Sequence, residues 1–485
     1  MDVHRLADRL RGEIGHPNVL TDRAQLRTYE CDGLAVYKVT PAIVALPETT
    51  DQVRSVVRAC VEAGVPYVAR GSGTGLSGGA LPHPDGVLIV TSKLRTILDV
   101  DPGNQRAVLE PGVINLDITR AAAPHGYYYA PDPSSQQICS IGGNVAENSG
   151  GAHCLKYGFT TNHVMGVQLV TPDGDLVRLG GKAPDPPGYD LLGAFVGSEG
   201  TLGIATEVTV RLMRAPESVR TLLAAFHSTD DAGAAVSAII GAGVIPAAIE
   251  MMDALAIEAA EAAVQCDYPE GAGAVLVVEL DGPGSEVEEQ FAQVEQHCSM
   301  SKAFEIRIAA DDAERALFWK GRKSAFAAVG RISPDYIVQD GVIPRTALPE
   351  VLSRMAELSA ERGIRVANVF HAGDGNLHPL VLFDDAVEGE AEKAEELSGA
   401  ILDLCIEHGG SITGEHGVGM DKAKHMPRMY TDDDLDTMQL LRCAFDPDHL
   451  SNPGKIFPTP RMCGEVPGRR KGPHPLQEQG LAEVF

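Results

Sequence analysis

Two histidines in the second half of the chain are spaced so that they could share a metal ion. The segment "VANVFHAGDGNLHPLVLF" (366–383) is typical of two strands joined at Asp374-Gly375, a dipeptide that favours a two-residue type I′ turn. With that turn, His371 lies directly opposite His378. Because cross-strand neighbours have Cβ atoms about 4.5–5.5 Å apart on one face, the two imidazoles could bind one cation.

A carboxylate and a third histidine follow in a glycine-rich segment. Glu415 and His416 lie adjacent in "GGSITGEHGVGMDK" (409–422), where the surrounding glycines leave space for a ligand to approach the backbone. The two segments together indicate a functional site made of imidazole and carboxylate groups.

A different chemistry is indicated by the glycines that follow the apolar segment "VPYVAR" (65–70). Gly73-x-Gly75-x-x-Gly78 resembles a dinucleotide fingerprint, but only "GALPHPDG" (79–86) separates it from the next apolar strand. This segment contains two prolines and cannot form the helix that a Rossmann fold needs, and no Gly-Lys-Ser/Thr follows for a Walker A loop. The remaining interpretation is a concave anion site made by backbone N–H groups, with hydroxyls from Ser72, Thr74 and Ser77.

Two later segments repeat this pattern. "APDPSSQQICSIGGNVAENSGGAHCLKYG" (130–158) contains two glycine pairs with Asn144 and Asn148, and "GSEGTLGI" (197–204) follows. Together the three segments could hold a long, flat, anionic cofactor by bends of the backbone, without the dipole of a helix.

In this order, the three motifs resemble the FAD domain of the vanillyl-alcohol oxidase type, also called the PCMH-type FAD domain, over about residues 40–216. The resemblance implies FAD, and because no histidine lies between Gly71 and Gly79, the FAD is expected to be non-covalent. The cofactor-binding residues that it implies are Arg70, Gly71, Ser72, Gly73, Thr74, Gly75, Leu76, Ser77, Pro131, Asp132, Ser140, Gly142, Gly143, Asn144, Asn148, Gly151, Gly158, Glu199, Gly200, Ile204 and Asn452.

The second half resembles the FAD-linked 2-hydroxy-acid oxidases and dehydrogenases through "HAGDGNLHP", "GEHGVG" and the flanking segments 318–345 and 452–458. Within this family the pattern is most similar to the glycolate oxidase branch, with D-lactate and D-2-hydroxyglutarate dehydrogenases as relatives. The resemblance implies a divalent metal ion (zinc, manganese or iron) with three ligands, His371, His378 and Glu415. It also implies that His416 is the catalytic base and that Arg322 binds the substrate carboxylate, with Lys320 and Lys323 as alternatives.

The resemblance also bears on the substrate. Phe326, Val338 and Leu380 stand where the 2-hydroxyglutarate enzymes carry polar residues for a second carboxylate. A small monocarboxylic 2-hydroxy acid, glycolate or D-lactate, is therefore expected to be oxidised to glyoxylate or pyruvate.

The elements that must position these residues predict an α+β fold. We expect an N-terminal helical segment (1–40), a PCMH-type FAD domain of two α/β subdomains (41–216), a C-terminal domain with an antiparallel sheet flanked by helices (217–458), and a tail (459–485). The end of the C-terminal domain is expected to return to the FAD domain.

Composition limits the partners and the location. The formal net charge of −27 argues against binding to nucleic acid or to an anionic membrane. Nine cysteines without a CxxC pattern are typical of reduced thiols in the cytoplasm and leave no iron–sulfur motif. The N-terminus carries no visible secretory signal, and the uncharged run 232–249 contains glycines and a proline that argue against a spanning helix.

Electrons must therefore leave the flavin for partner subunits carrying flavin or iron–sulfur clusters, or for a quinone or cytochrome. Any membrane association would come through such partners. Four alternatives stay open at this point: a D-2-hydroxy-acid dehydrogenase acting alone, a flavin-carrying electron-transfer subunit without a substrate site, an alkyl-dihydroxyacetone-phosphate synthase and a metal-only hydrolase.

Overall fold

The structure is a computed structural model that describes residues 3–183 and 187–458. The expected tail (459–485) lies outside the described residues. The helices are α1 Val3–Ile14, α2 Arg23–Leu26, α3 Thr50–Ala63, α4 Asn115–Ala122, α5 Ile141–Glu147, α6 Cys154–Tyr157, α7 Thr160–His163, α8 Leu191–Phe195, α9 Thr229–Gly241, α10 Ala254–Val264, α11 Gly284–Met300, α12 Asp312–Ala328, α13 Leu348–Arg362, α14 Glu390–Glu407, α15 Met426–Met429 and α16 Asp432–Phe445.

The strands form separate sheets in the two halves of the chain. They are β1 Val19–Leu20, β2 Ile43–Ala45, β3 Tyr67–Arg70, β4 Val87–Val90, β5 Ile97–Asp101, β6 Arg106–Leu109, β7 Tyr127–Tyr128, β8 Val164–Val170, β9 Leu176–Gly180, β10 Ile204–Arg211, β11 Met213–Arg214, β12 Ser218–Phe226, β13 Ala248–Asp253, β14 Ala274–Gly282, β15 Glu305–Ile308, β16 Asp335–Val338, β17 Gly341–Val342, β18 Val366–His371 and β19 Asn376–Phe383.

A small sheet with the order β1-β2-β4-β3 begins the chain, and β4 runs parallel to both β2 and β3. Helix α3 connects β2 to β3 and buries one apolar stripe that includes Val53, Val56 and Val57. It begins after Thr49, whose hydroxyl accepts the Gln52 amide, and ends at Gly64 in the left-handed conformation. This β-α-β unit leads the chain directly from β3 into the first glycine segment.

An antiparallel sheet with the order β5-β6-β10-β8-β9 forms the second layer of this half. Its core includes residues from β6, β8 and β10 together with Ile141 and Val145 of α5. The first half therefore consists of two subdomains that each combine helices with a sheet. The first glycine segment directly follows β3, and the third runs into β10.

The second half is built on one eight-stranded sheet with the order β15-β12-β14-β13-β18-β19-β16, in which β17 also pairs with β19. All of its pairings are antiparallel. Because successive side chains point to opposite faces, Leu222 belongs to the core that the sheet forms with α9, α11, α13 and α14, whereas Leu223 belongs to the core that it forms with α10 and α12. The expected α+β fold, with an antiparallel sheet flanked by helices, is confirmed.

The uncharged run 232–249 divides between α9 and β13. Among the described residues, no helix combines the length and the hydropathy that a membrane crossing requires. Seven cysteines carry free thiols, namely Cys31, Cys60, Cys139, Cys154, Cys266, Cys298 and Cys405. Cys443 differs from the expected reduced state because it is disulfide-bonded. Cys463 lies outside the described residues.

Both ends of the described chain pack on the first half. Helix α1 contributes to the core that contains β2 and α3, and β1 adds an edge strand, so the N-terminal segment is not purely helical. Near the other end, Ser451 pairs with Tyr67 of β3, and its hydroxyl donates to the Gly200 carbonyl. The division at residue 216 remains our proposal for the domain boundary.

Candidate active site

A cavity of about 1490 Å³ lies where the glycine-rich segments of the first half face the second half. The predicted cofactor-binding residues that line it are Arg70, Gly71, Ser72, Gly73, Thr74, Gly75, Leu76, Ser140, Gly142, Gly143, Asn144, Glu199, Gly200 and Ile204. Glu415 and His416 line the same cavity. The fold thus brings together three segments that are separated along the chain and sets them opposite the histidine-containing half.

The first glycine segment offers free backbone donors to this cavity. Among the described residues, none of the main-chain N–H groups from Gly71 to Leu76 donates a hydrogen bond within the protein. A Cβ atom at Gly71 would overlap Ser140 Oγ and would lie 3.5 Å from the Gly143 amide nitrogen, so the first two segments approach each other closely here. A cavity wall of unpaired N–H groups fits the diphosphate of a dinucleotide such as FAD.

Seven other predicted cofactor-binding residues do not line the cavity, and their contacts with FAD stay predictions. Four of them have side-chain partners within the protein: Ser77 accepts the Gly79 amide, Asp132 accepts from His153, Asn148 accepts the Thr161 amide, and Asn452 donates to the carbonyl oxygens of Gly79 and Glu199. The complete set is Ser77, Pro131, Asp132, Asn148, Gly151, Gly158 and Asn452.

The second segment differs from the expectation of bends alone. It contains the short helix α5, whose Gly142 and Gly143 line the cavity. Glycine has a low helix propensity, but Ile141 and Val145 are fully buried in the core of the five-stranded sheet. Tertiary packing therefore outweighs the local preference of the sequence.

The hairpin that carries the histidines has a different register from the one predicted. Strand β18 ends at His371 and β19 begins at Asn376, which pairs with His371, while His378 pairs with Val369. The predicted two-residue turn was therefore wrong, because a four-residue connection (372–375) joins the strands. A shift of two residues preserves the face, so both imidazoles still lie on one side as diagonal neighbours.

The two imidazoles converge on one carboxylate. The ring centroids of His371 and His378 are 4.9 Å apart, and Glu415 Oε1 lies 3.2 Å from His371 Nε2 and 3.1 Å from His378 Nε2. One ligand atom from each of the three residues lies within 4.8 Å of the others. Glu415 Oε2 is buried without a hydrogen-bond partner among the described residues.

The other ring nitrogen of each imidazole has an acceptor. His371 Nδ1 lies 2.8 Å from Glu250 Oε1, and His378 Nδ1 lies 3.3 Å from the Gln339 carbonyl oxygen. If each Nδ1 carries the proton and donates it to these acceptors, both Nε2 lone pairs point at the Glu415 carboxylate. A cation between the two Nε2 atoms and the carboxylate would stabilise this arrangement. Two nitrogens and one carboxylate oxygen fit zinc, manganese or iron.

His416 lies beside this cluster with its ring stacked on His378 at a centroid separation of 5.0 Å. Burial, together with the neighbouring His378 and Lys422, lowers the pKa of His416 to about 4 against the opposing effect of Asp340. His416 Nδ1 is buried and has no hydrogen-bond partner among the described residues. The ring is therefore a neutral imidazole that can accept a proton.

Arg322 lies next to the cluster but does not line the cavity. It is 2% exposed, and its Nη2 lies 2.6 Å from Glu250 Oε2, so Glu250 contacts both Arg322 and His371. Its Nε has no hydrogen-bond partner among the described residues, which leaves part of the guanidinium available to a carboxylate. Of the alternatives, Lys323 lines the cavity, whereas Lys320 does not and donates to the Val264 carbonyl.

An apolar wall borders the histidines. Phe326 and Val338 line the cavity, and the Phe326 ring packs edge-on against His378 with centroids 5.7 Å apart. Leu380 is fully buried behind them, opposite Val338 in the sheet.

Two important residues were missed in the sequence. Glu250 pairs directly across β13 and β18 with His371, and Asp340 accepts the amides of Gly414, Glu415 and His416. Glu250 stands between apolar residues in the strand "AIEMMD", and a buried acid there is a signal for a partner of opposite charge or a metal-bound histidine.

Comparisons with known proteins show the family to which the chain belongs. Residues 41–180 match the family "FAD binding domain", and residues 215–456 match the family "FAD linked oxidases, C-terminal domain". The chain is 52% identical to the glycolate oxidase subunit GlcD of Escherichia coli (strain K12), over 94% of this chain and 91% of that protein. It is 32% identical to a D-lactate dehydrogenase of Anaerostipes hadrus, over 92% and 95% of the two chains.

The fold also occurs in solved structures. The 4-ethylphenol oxidase of Gulosibacter chungangensis superposes with a TM-score of 0.77 at 18% identity, covering 94% of this chain and 97% of that one. The present chain belongs to the family of FAD-linked oxidases, as its two matched domains and its relatives show. It has a PCMH-type FAD-binding domain followed by the C-terminal domain of that family.

Proposed function

We propose that the chain is an FAD-dependent oxidoreductase that converts a small monocarboxylic 2-hydroxy acid, glycolate or D-lactate, to its 2-oxo acid. The main support is the position of His416 and Glu415, which line the glycine-walled cavity while Glu415 contacts both His371 and His378. The relatives include glycolate oxidase subunits and a D-lactate dehydrogenase, whose names belong to this reaction class.

The roles of the residues follow from the chemistry of alcohol oxidation. Bound FAD would accept the hydride from C2, and a bound divalent cation would lower the pKa of the substrate hydroxyl. His371, His378 and Glu415 would hold that cation, and Arg322 would bind the substrate carboxylate through its free guanidinium edge. His416, neutral and stacked on His378, would take the hydroxyl proton.

The apolar wall supports a monocarboxylic substrate. A second carboxylate would lie against Phe326 and Val338 and lose its hydration without gaining a partner. We therefore expect kcat/KM for D-2-hydroxyglutarate to be at least about 100-fold below that for D-lactate, corresponding to about 3 kcal/mol. Steady-state kinetics with both acids measures this ratio, and similar values for the two would contradict the proposed site.

Glu250 contacts both the proposed metal ligand His371 and Arg322, so its replacement should affect metal binding and substrate binding. Glu250→Gln removes the negative charge that pairs with Arg322 Nη2, and only the amide oxygen remains to accept from His371 Nδ1. We expect metal affinity to fall about 10–100-fold and the KM for the acid to rise. Metal titration and steady-state kinetics measure the two effects, with the exposed Glu258→Gln on α10 as the matched control. Wild-type metal affinity and KM in Glu250→Gln would argue against this role.

The decisive test of the proposed function is anaerobic reduction of the flavin by a panel of 2-hydroxy acids, with and without a chelator. Glycolate or D-lactate should bleach the flavin of the purified protein. A yellow protein that no acid reduces would favour a flavin-carrying electron-transfer subunit without its own substrate site. A colourless protein without FAD would overturn the cofactor assignment.

We also propose that electrons pass from the flavin to partner subunits, or to a quinone or cytochrome. The protein itself would be cytoplasmic and would reach a membrane only through such partners. The transfer to partner subunits is supported by the similarity to GlcD, which is named as a subunit of glycolate oxidase. Turnover of the isolated chain should be much faster with a dye acceptor than with oxygen, and equal rates would contradict this route.

A further inference from the structure

The loop that carries Glu415 and His416 is held on one side by a buried carboxylate of its own half. Asp340, which is fully buried, accepts hydrogen bonds from the amides of Gly414, Glu415 and His416 at 3.0, 3.2 and 2.9 Å. Lys422 Nζ lies 3.3 Å from the same carboxylate and compensates its charge. These contacts fix the backbone up to His416.

The backbone after His416 is held by a carboxylate from the other half. Glu199 Oε1 accepts the Val418 amide at 2.7 Å, and Oε2 accepts the Gly419 amide at 2.6 Å. The side chain is buried, and both of its oxygens are used for this loop. Short, charge-assisted bonds to two successive amides restrain both position and orientation.

Glu199 is itself tightly anchored in the flavin half. Its amide donates to the Ala146 carbonyl, and its own carbonyl accepts from Asn452 Nδ2. Its backbone has a φ of +51°, a left-handed conformation that costs a residue with a Cβ atom on the order of 1 kcal/mol or more. Since Glu199 also lines the cavity, its side chain connects the cofactor wall to the loop opposite.

Position 417 of this loop lies so close to the Glu199 carboxylate that it requires glycine. A Cβ atom at Gly417 would lie 2.9 Å from Glu199 Oε1 and would overlap Glu147 Oε2, and the φ of Gly417 is +84°. Burial raises the pKa of both carboxyl groups, to about 7 for Glu199 and well above its ordinary value for Glu147. Because both oxygens of Glu199 accept backbone amides, Glu199 is the carboxyl group of the two that holds this loop.

We propose that Glu199 is an interdomain positioning residue: by holding the amides of Val418 and Gly419, it sets the place of His416 relative to the flavin cavity. This inference rests on the proposed oxidation of a 2-hydroxy acid at this site. It gives Glu199 a task beyond contact with the cofactor, because the same side chain ties the base-carrying loop to the half that holds FAD.

The test compares Glu199→Gln with the wild-type holoenzyme. The glutamine keeps the volume but turns one N–H₂ group towards an amide donor, so one of the two bonds is lost. We expect hydrogen exchange at Val418 and Gly419 to become faster, and flavin reduction at saturating acid to slow about 10- to 100-fold. FAD content and the acid concentration for half-maximal reduction should change less than about threefold, because Arg322 and the predicted metal ligands are untouched.

Two further variants make the result specific. Glu199→Asp keeps the charge but is one methylene shorter, and it should show an intermediate reduction rate. Glu207→Gln, which removes an exposed ion pair with Arg178 on the same half, should behave as wild type.

Unchanged exchange at Val418 and Gly419 in Glu199→Gln would overturn the inference, as would faster exchange with a wild-type reduction rate. Loss of FAD together with the slow rate would indicate a purely structural role and would also overturn it. If no 2-hydroxy acid reduces the wild-type flavin, the proposed function fails, and the exchange measurement alone decides whether Glu199 holds the loop.

Discussion

Replacing His416 with alanine is expected to slow reduction of the bound flavin by glycolate or D-lactate about 10²–10⁴-fold. The reason is that His416 is adjacent to Glu415, lines the cavity and has a buried Nδ1 without a hydrogen-bond partner among the described residues. The second ring nitrogens of His371 and His378 are already bonded to Glu250 and to Gln339. Anaerobic rapid-mixing measurements of flavin absorbance give the rate directly.

The control for this experiment is His227→Ala, which removes an exposed histidine of the same half that does not line the cavity. It should reduce its flavin at the wild-type rate. His416→Ala should keep its FAD and its metal, so that the loss belongs to the proton transfer alone. A His416→Ala protein that reduces its flavin as fast as wild type would exclude His416 as the base.

Removing the metal is expected to lower the same rate at least about 100-fold, because several kcal/mol of charge stabilisation at the substrate hydroxyl would be lost. Dialysis against a chelator tests this, and zinc, manganese or iron added back singly should restore the rate and identify the metal. In His378→Ala the cluster keeps only His371 and Glu415, so the rate should stay low even with added metal.

Elemental analysis of the purified protein is the matching measurement. We expect about one divalent ion per chain in wild type and in His227→Ala, and much less in His378→Ala. Full activity of a wild-type protein shown to contain no divalent metal would contradict the ligand assignment, although it would leave the FAD site and the substrate class intact.

Much of the site could be predicted from local patterns. The glycine segment 71–79 was interpreted as an anion cradle because no helix fits after it, and its free N–H groups do line the cavity. The two histidines of "HAGDGNLHP" were expected on one face, and they are on one face even though the register was wrong. This is because strand periodicity alone decides the face, and a shift of two residues does not change it.

The failures share a physical cause. The turn type at Asp374-Gly375 and the helix α5 in the second glycine segment both depend on packing against residues far away in the chain. The Asp-Gly dipeptide favours a two-residue turn, and the glycines of the second segment disfavour a helix. The local sequence alone therefore could not predict the four-residue connection or α5.

The sequence by itself determined which chemical groups are present and which face of a strand or loop they share, because residue type and periodicity are local properties. Only the tertiary structure decided how the buried charges are paired. Glu250 joins His371 to Arg322, and Glu199 holds a loop that lies about 220 residues further along the chain. Such pairs form because a buried carboxylate is stable only with hydrogen-bond donors or a cation nearby. The fold as a whole determines which donors lie close to it.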